Sequence, residues 1–133
     1  MSRTAAEWAR VAVSLPGWRL LPGMRTIDRT GQAARVVGPS GAATLEGVAV
    51  RVRLMQSSPI DPDDHATAGA LLALLEGANP RPYRRPGGLW VVAAGLGFAV
   101  EPDSLQPRTL GRACIAAAEA LGRWPNGGRM VAE

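Results

Sequence analysis

The chain has 133 residues, and its 15 basic residues are all arginine, against 11 acidic residues, for a formal net charge of +4. This length fits one domain with its own hydrophobic core and is too short for two. Because 47% of the residues are hydrophobic and 20% are charged, the composition excludes a wholly disordered chain, and the modest charge is weak evidence for a nucleic-acid partner.

The elements predicted from hydrophobic periodicity and turn residues alternate between helix and strand. In chain order they are a helix over 4–14, strands over 24–28, 32–37 and 48–54, a helix from 62, an apolar strand or hairpin over 89–100 (89–94 and 97–100) and a last helix over about 107–123. Short hairpin links favour a single α+β domain over 1–133, with three helices and a largely antiparallel sheet of about five strands.

The strand predicted over 48–54 has the clearest alternation in the chain. Val48, Val50, Val52 and Leu54 point to one face, and Arg51 and Arg53 point to the other. Such alternation is typical of a half-buried strand whose outer face is solvated. We therefore expect an arginine-bearing sheet surface here.

A cluster of three aspartates and the only histidine occupies 61–65. We predict a helix start, with Asp61 as the N-cap, Pro62 at the first helical position, and Asp63 and Asp64 in the first turn. The alternative is a metal or acid–base site of Asp61, Asp63 and His65. An EF-hand loop needs glycine at its sixth position and glutamate at its twelfth, where this chain has alanine and leucine, so we predict no metal and no cofactor.

The helix that follows is apolar on more than one face. Leu71, Leu72, Leu74 and Leu75 cannot all point at one sheet, so a second surface must cover part of the helix. Either another helix of the same chain covers it, or these four leucines form a surface for self-association or for a protein partner.

Motifs for catalysis are weak. The glycine pairs at 38–41 and 95–97 lack the residues that complete a phosphate loop, and no G-x-S-x-G motif accompanies the single histidine. Cys114 lies in an alanine-rich helical stripe, where a cysteine acts as a small core residue. We predict no catalytic residue and a protein that is not an enzyme.

A proline-stiffened basic loop is the best candidate for binding nucleic acid. Its side chains are Arg81, Tyr83, Arg84 and Arg85, and the strand arginines Arg51 and Arg53 could join them. The guanidinium group of arginine can donate hydrogen bonds to a phosphate, and the ring of a tyrosine can stack on a base. One aromatic residue makes a poor stacking platform, so a solvated loop, or weak non-specific binding, is the alternative.

The cellular setting follows from what the sequence lacks. One cysteine excludes an internal disulfide and fits a reducing compartment. Glu7 and Arg10 interrupt the segment where a signal peptide would be apolar, and the longest apolar run is about 12 residues, against the ~20 that span a bilayer. We expect a cytoplasmic protein with no membrane contact.

Three segments together resemble a group of small, mostly uncharacterised phage and prophage proteins. They are Pro16-Gly17-Trp18-Arg19, Pro22-Gly23-Met24 and the run from Asp63 to Leu75, followed by an alanine-rich helix. The chain departs from that pattern at Leu20-Leu21 and by inserting Asp64-His65. The resemblance implies a phage-type setting and no reaction, and we predict an accessory protein that binds a host or phage protein.

Overall fold

The structure, a computed structural model, describes residues 3–93 and 109–125. That part of the chain contains three helices and six strands, in the order α1 Ala5–Ser14, β1 Arg25–Ile27, β2 Ala33–Val36, β3 Ala42–Leu45, β4 Arg51–Arg53, α2 His65–Leu74, β5 Arg81–Arg84, β6 Trp90–Ala93 and α3 Leu110–Leu121. The predicted α+β class is confirmed. The strand predicted over 97–100 lies outside the described residues.

The strands form two antiparallel sheets in place of the single sheet that we expected. One sheet has the order β1-β2-β3-β4, and β5 pairs with β6 in the other. In the larger sheet Arg25 lies opposite Arg35, Arg35 opposite Thr44, and Thr44 opposite Arg51. These residues share one face of the sheet, because side chains directly opposite each other in an antiparallel pair point the same way.

The strand predicted over 48–54 is shorter than its alternation suggested. Residues 46–49 are taken up by the turn that joins β3 to β4, in which Gly47 and Ala49 have φ values of 89° and 54°. Val48 and Val50 are therefore exposed, at 59% and 50% of their surface, where the pattern predicted burial. β3, which the sequence reading did not identify, pairs with β4.

The predicted turn-rich loop after α2 contains a strand. β5 is exposed along its whole length and pairs with β6, with Tyr83 opposite Val91 and Pro82 opposite Val92. A proline has no N–H to donate to a neighbouring strand, so the prolines of this segment argue against a strand. Here the buried partner strand β6 supplies the pairing that overrides this propensity.

The leucines of α2 lie in the hydrophobic core. Leu71, Leu74 and Leu75 are buried and Leu72 is half-buried against the same core. α3 packs on α2 and also contacts α1 and β6, so a helix of the same chain covers the second face of α2. This arrangement favours the intramolecular alternative for these four leucines over an interface between subunits.

The first element is fixed by its own capping residues and by its contact with the end of α3. Thr4 and Glu7 form a reciprocal capping box at the start of α1. Trp124, just beyond α3, donates its indole N–H to the Ala12 carbonyl and its backbone N–H to the Pro16 carbonyl. The Trp18 and Trp124 ring centroids lie 5.7 Å apart, so the first Pro-Gly-Trp segment packs against the end of α3.

The helices of the described part are short. Within residues 3–93 and 109–125, no helix is both long enough and apolar enough to cross a lipid bilayer.

Candidate functional site

The aspartate cluster begins α2 at a different residue from the one predicted. Asp64 is the N-cap, and its carboxylate accepts hydrogen bonds from the backbone N–H and the hydroxyl of Thr67, both at 3.0 Å. The prediction that Asp61 caps the helix with Pro62 at its first position was wrong. Pro62 is buried ahead of the helix, and Asp61 accepts a hydrogen bond from the Asp63 N–H in the preceding turn.

Each of the three aspartates pairs with an arginine from another element. Asp61 pairs with Arg25 of β1, and Asp64 pairs with Arg35 of β2 through contacts of 2.6 and 3.1 Å. The Arg112 guanidinium of α3 donates to both oxygens of Asp63, each at 2.9 Å. These three ion pairs attach the segment before α2 to the sheet on one side and to α3 on the other.

The partners of Asp64 also set its protonation. Burial alone would raise the pKa of Asp64, but hydrogen bonds from Arg35 and Thr67 outweigh it and leave that pKa below its ordinary value. Glu46 lies between the two sheet arginines, 2.9 Å from Arg25 and 3.6 Å from Arg35. The hydrogen bonds that Arg25 donates to Glu46 and Asp61, and those that Arg35 donates to Asp64, raise the pKa values of both guanidinium groups.

This network leaves little room for a metal ion or a general base. Every aspartate of the cluster is already engaged by a guanidinium, and His65 is exposed at the first residue of α2. Nowhere in residues 3–93 and 109–125 do three or more His, Cys, Asp or Glu side chains form a group that could hold a metal ion. The arrangement is that of a set of ion pairs that hold the segment before α2 against the sheet and α3.

The single thiol is placed for packing. Cys114 lies in the middle of α3 and is fully buried, and this burial raises its pKa to about 12. The nucleophile of a cysteine is the thiolate, which a pKa of that size leaves scarcely populated near neutral pH.

An open groove of about 560 Å³ separates the start of α1 from the segment 57–62. Arg10, Asp28 and Arg29 contribute its charged rim together with Asp61. Asp28 already accepts hydrogen bonds from Thr30 and Gln32 in its own turn, and Asp61 pairs with Arg25. Both carboxylates therefore already have partners in their own surroundings, and the described residues that line the groove include no nucleophile paired with a base.

The side chains predicted to bind nucleic acid are divided between the two sheets. Arg81, Tyr83 and Arg84 lie on β5 and Arg85 follows it, whereas Arg51 and Arg53 lie on β4. All six are exposed. The Arg84 guanidinium lies 5.4 Å from the centre of the Trp90 ring, a cation–π contact with its cross-strand partner.

Exposed apolar side chains are concentrated around β4. Val48, Val50 and Met55 are exposed over 59%, 50% and 73% of their surface, and Val37 at the end of β2 over 55%. Alternation alone placed the valines in the core. The signal that could have corrected this is Gly47, directly before the predicted strand, since glycine commonly marks a turn.

The chain was compared with protein-family models, with curated proteins and with solved structures, and none of the three comparisons found a match.

Proposed function

We propose that this protein acts by binding another protein and not by catalysis, as a phage- or prophage-type accessory protein of the cytoplasm. The observation that carries the proposal is the exposed apolar surface along residues 48–55, the turn and strand that end the larger sheet.

This segment has the composition of a binding surface. Val48, Val50 and Met55 are at least half exposed. The arginines of β4, Arg51 and Arg53, are also exposed and alternate with apolar residues along the strand. Exposed apolar groups in one contiguous place are typical of interaction sites. Methionine and arginine are among the residues enriched in protein interfaces.

The polar groups in the rest of the described chain support a structural role. The Asp61, Asp63 and Asp64 carboxylates each hold an arginine. Glu119 of α3 binds the guanidinium group of Arg3, just ahead of α1, through two contacts of 2.8 Å. Groups fixed in this way stabilise a scaffold, and a scaffold with an exposed apolar segment suits recognition better than chemistry.

A pull-down from a lysate of the source organism, performed with and without nuclease, tests the proposal. We expect the wild-type protein to retain a protein partner and the double variant Val48→Ser/Met55→Ser to lose it. The matched control is Tyr83→Ser, which changes an exposed apolar side chain on the other sheet and should leave capture unchanged. Capture that depends on nucleic acid, or that survives the double variant, would refute the proposal.

A second candidate function is nucleic-acid binding by Arg81, Tyr83, Arg84 and Arg85, which the exposure of β5 favours. Such binding would use phosphate contacts, so we expect it to be non-specific, with a Kd of roughly 10⁻⁴–10⁻⁶ M, and to weaken steeply with salt. Fluorescence anisotropy with single-stranded and duplex oligonucleotides measures this. Sequence-selective binding at physiological salt that Arg84→Ala/Arg85→Ala abolishes would make nucleic acid the first candidate.

A further inference from the structure

One outer edge of the larger sheet is already completed by an extended segment of the same chain. The Ile27 N–H donates to the Pro59 carbonyl at 3.0 Å, and the Asp61 N–H donates to the Arg25 carbonyl at 2.7 Å. An antiparallel bridge joins Thr26 to Ile60 between them. The Asp61 side chain then pairs with the Arg25 guanidinium, so an extended segment with one carboxylate covers this edge and neutralises its arginine.

In the described part of the smaller sheet, the outer edge of β5 is not comparable. The Arg85 N–H bonds to Leu89, and with this register the backbone groups of Pro82 and Arg84 point away from β6. Proline has no N–H, which blocks ladder pairing on that side. β6 lies against α3, and its Val91 and Val92 are buried.

The outer edge of β4 is different. The Leu45 N–H bonds to Val50 and the Leu54 N–H to Gly41, so alternation directs the backbone N–H and C=O groups of Arg51 and Arg53 away from β3. Within residues 3–93 and 109–125, no strand pairs with this edge. It therefore presents a short row of donors and acceptors without the proline that blocks β5.

The edge at β4 carries arginine side chains, as the covered edge at β1 does. Arg25, Arg35, Arg51 and Arg53 share one face of the sheet, since Arg25, Arg35, Thr44 and Arg51 lie opposite one another in turn. Arg25 and Arg35 bind the carboxylates of Asp61, Asp64 and Glu46. The Arg51 and Arg53 guanidinium groups are exposed and have no carboxylate partner among the described residues.

We propose that β4 binds an extended acidic segment of a partner protein, which adds a fifth strand to the sheet. Its backbone would pair with Arg51 and Arg53, its carboxylates would face their guanidinium groups, and its apolar side chains would cover Val50 and Val52. The inference rests on the proposed function and specifies its partner. Strand addition of this kind derives affinity from main-chain hydrogen bonds and specificity from alternate side chains.

A second copy of this chain fits the same edge poorly. Antiparallel pairing of two β4 strands about Val52 would place Arg51 of one copy opposite Arg53 of the other. Like charges directly opposite each other destabilise a strand pair. The charge of the edge therefore selects an acidic strand over self-association.

A short synthetic peptide that alternates glutamate with valine is the probe, and NMR amide exchange is the first measurement. In the free protein we expect the Arg51 and Arg53 amides to exchange fast and the Val52 amide, which faces β3, to be protected. Adding the peptide should protect Arg51 and Arg53. Slow exchange of these two amides before any peptide is added would show that the edge is already covered and overturn the proposal.

Variants separate charge from strand pairing. Arg51→Ala removes one charge and keeps the backbone N–H. Arg51→Pro removes the charge and the backbone N–H, but it keeps the hydrogen bonds between β4 and β3. We expect Arg51→Pro to weaken peptide binding about tenfold more than Arg51→Ala, as loss of a main-chain hydrogen bond implies. Arg51→Glu/Arg53→Glu should reverse the preference toward a lysine–valine peptide. Circular dichroism and thermal melts check that each variant is folded.

Three outcomes would refute strand addition. The first is that Arg51→Ala and Arg51→Pro bind the peptide equally well. The second is that a glutamate–valine peptide with a central proline binds as tightly as the peptide without it. The third is that an oligonucleotide, and not the peptide, protects the Arg51 and Arg53 amides. If peptide binding fails while Val48→Ser/Met55→Ser still abolishes partner capture, the proposed function stands and only this mode of binding is wrong.

Discussion

Asp64 and Arg35 form a two-contact ion pair, at 2.6 and 3.1 Å, that joins the first residue before α2 to the second strand of the sheet. The same carboxylate accepts the Thr67 N–H and so caps the helix. One side chain therefore both begins α2 and attaches it to β2, which makes Asp64 the central residue of the aspartate cluster.

Asp64→Ala should destabilise the protein more than Asp61→Ala. Loss of the cap costs about 0.5–2 kcal/mol, and loss of a partly buried ion pair adds up to about 1 kcal/mol. Asp61 has an arginine partner and accepts the Asp63 N–H in the preceding turn, but it caps no helix. Asp61→Ala should therefore lose the ion pair and this turn contact but not the cap. Urea denaturation of the two variants measures both free energies of unfolding, and an equal or larger loss for Asp61→Ala would contradict this assignment.

The Asp64 charge should make stability depend on pH. Its folded-state pKa is lowered, so its contribution is fully present above the unfolded-state value of about 3.9 and is lost as the pH falls through the folded-state pKa. Asp64→Asn keeps a capping side chain without the charge. We expect the stability difference between wild type and Asp64→Asn to be constant from pH 7 to pH 5 and to shrink below about pH 4. A stability difference between wild type and Asp64→Asn that grows as the pH falls would contradict the predicted direction of the pH dependence.

Divalent metal ions should leave the melting temperature unchanged. The Asp61, Asp63 and Asp64 carboxylates are held by Arg25, Arg112 and Arg35, and a metal ion would have to displace these guanidinium groups. Thermal melts with Zn²⁺, Mg²⁺ or Mn²⁺ test this, with His65→Ala as the control. A rise of several degrees that His65→Ala abolishes would establish the metal site that we consider the lesser alternative.

Two helical glycines should respond oppositely to alanine. A Cβ at Gly111 would overlap the carbonyl of Pro62, whereas a Cβ at Gly69 would meet open space. Gly111→Ala forces α3 away from the segment before α2, and we expect a loss of about 1–3 kcal/mol, as for overpacked cores. Gly69→Ala should stabilise by about 0.5–1 kcal/mol through helix propensity. Denaturation of both variants measures the contrast, and stabilisation by Gly111→Ala would disprove the close approach.

The leucines of α2 should differ according to their burial. Leu74 is buried and Leu72 is half-buried, so Leu74→Ala should cost about 2–5 kcal/mol and Leu72→Ala clearly less. Because α3 covers the second face of α2, neither substitution should change the mass measured by light scattering. A change in mass for Leu72→Ala with little loss of stability would show instead that a second subunit covers this face.

The sequence alone determined the features that depend on neighbouring residues. The first helix follows from its hydrophobic periodicity, the first hairpin from the two strands predicted over 24–28 and 32–37, and the burial of α2 from its all-round apolar surface. These signals are local, because a side chain's face is set by the spacing of residues within one turn or one strand. The predicted class and these elements are therefore confirmed.

Only the tertiary structure decided which aspartate caps α2 and which arginines pair with its carboxylates. Asp61, Asp63 and Asp64 all have the chemistry of a cap, and the choice of Asp64 accompanies a pairing with Arg35, 29 residues away. Arg51 alternates with valine just as the pattern showed, but whether its strand lies inside the sheet or at its edge depends on which segments pair. Pairing between distant segments leaves no periodic trace in either one, so the open edge of β4 appears only when the sheet is assembled.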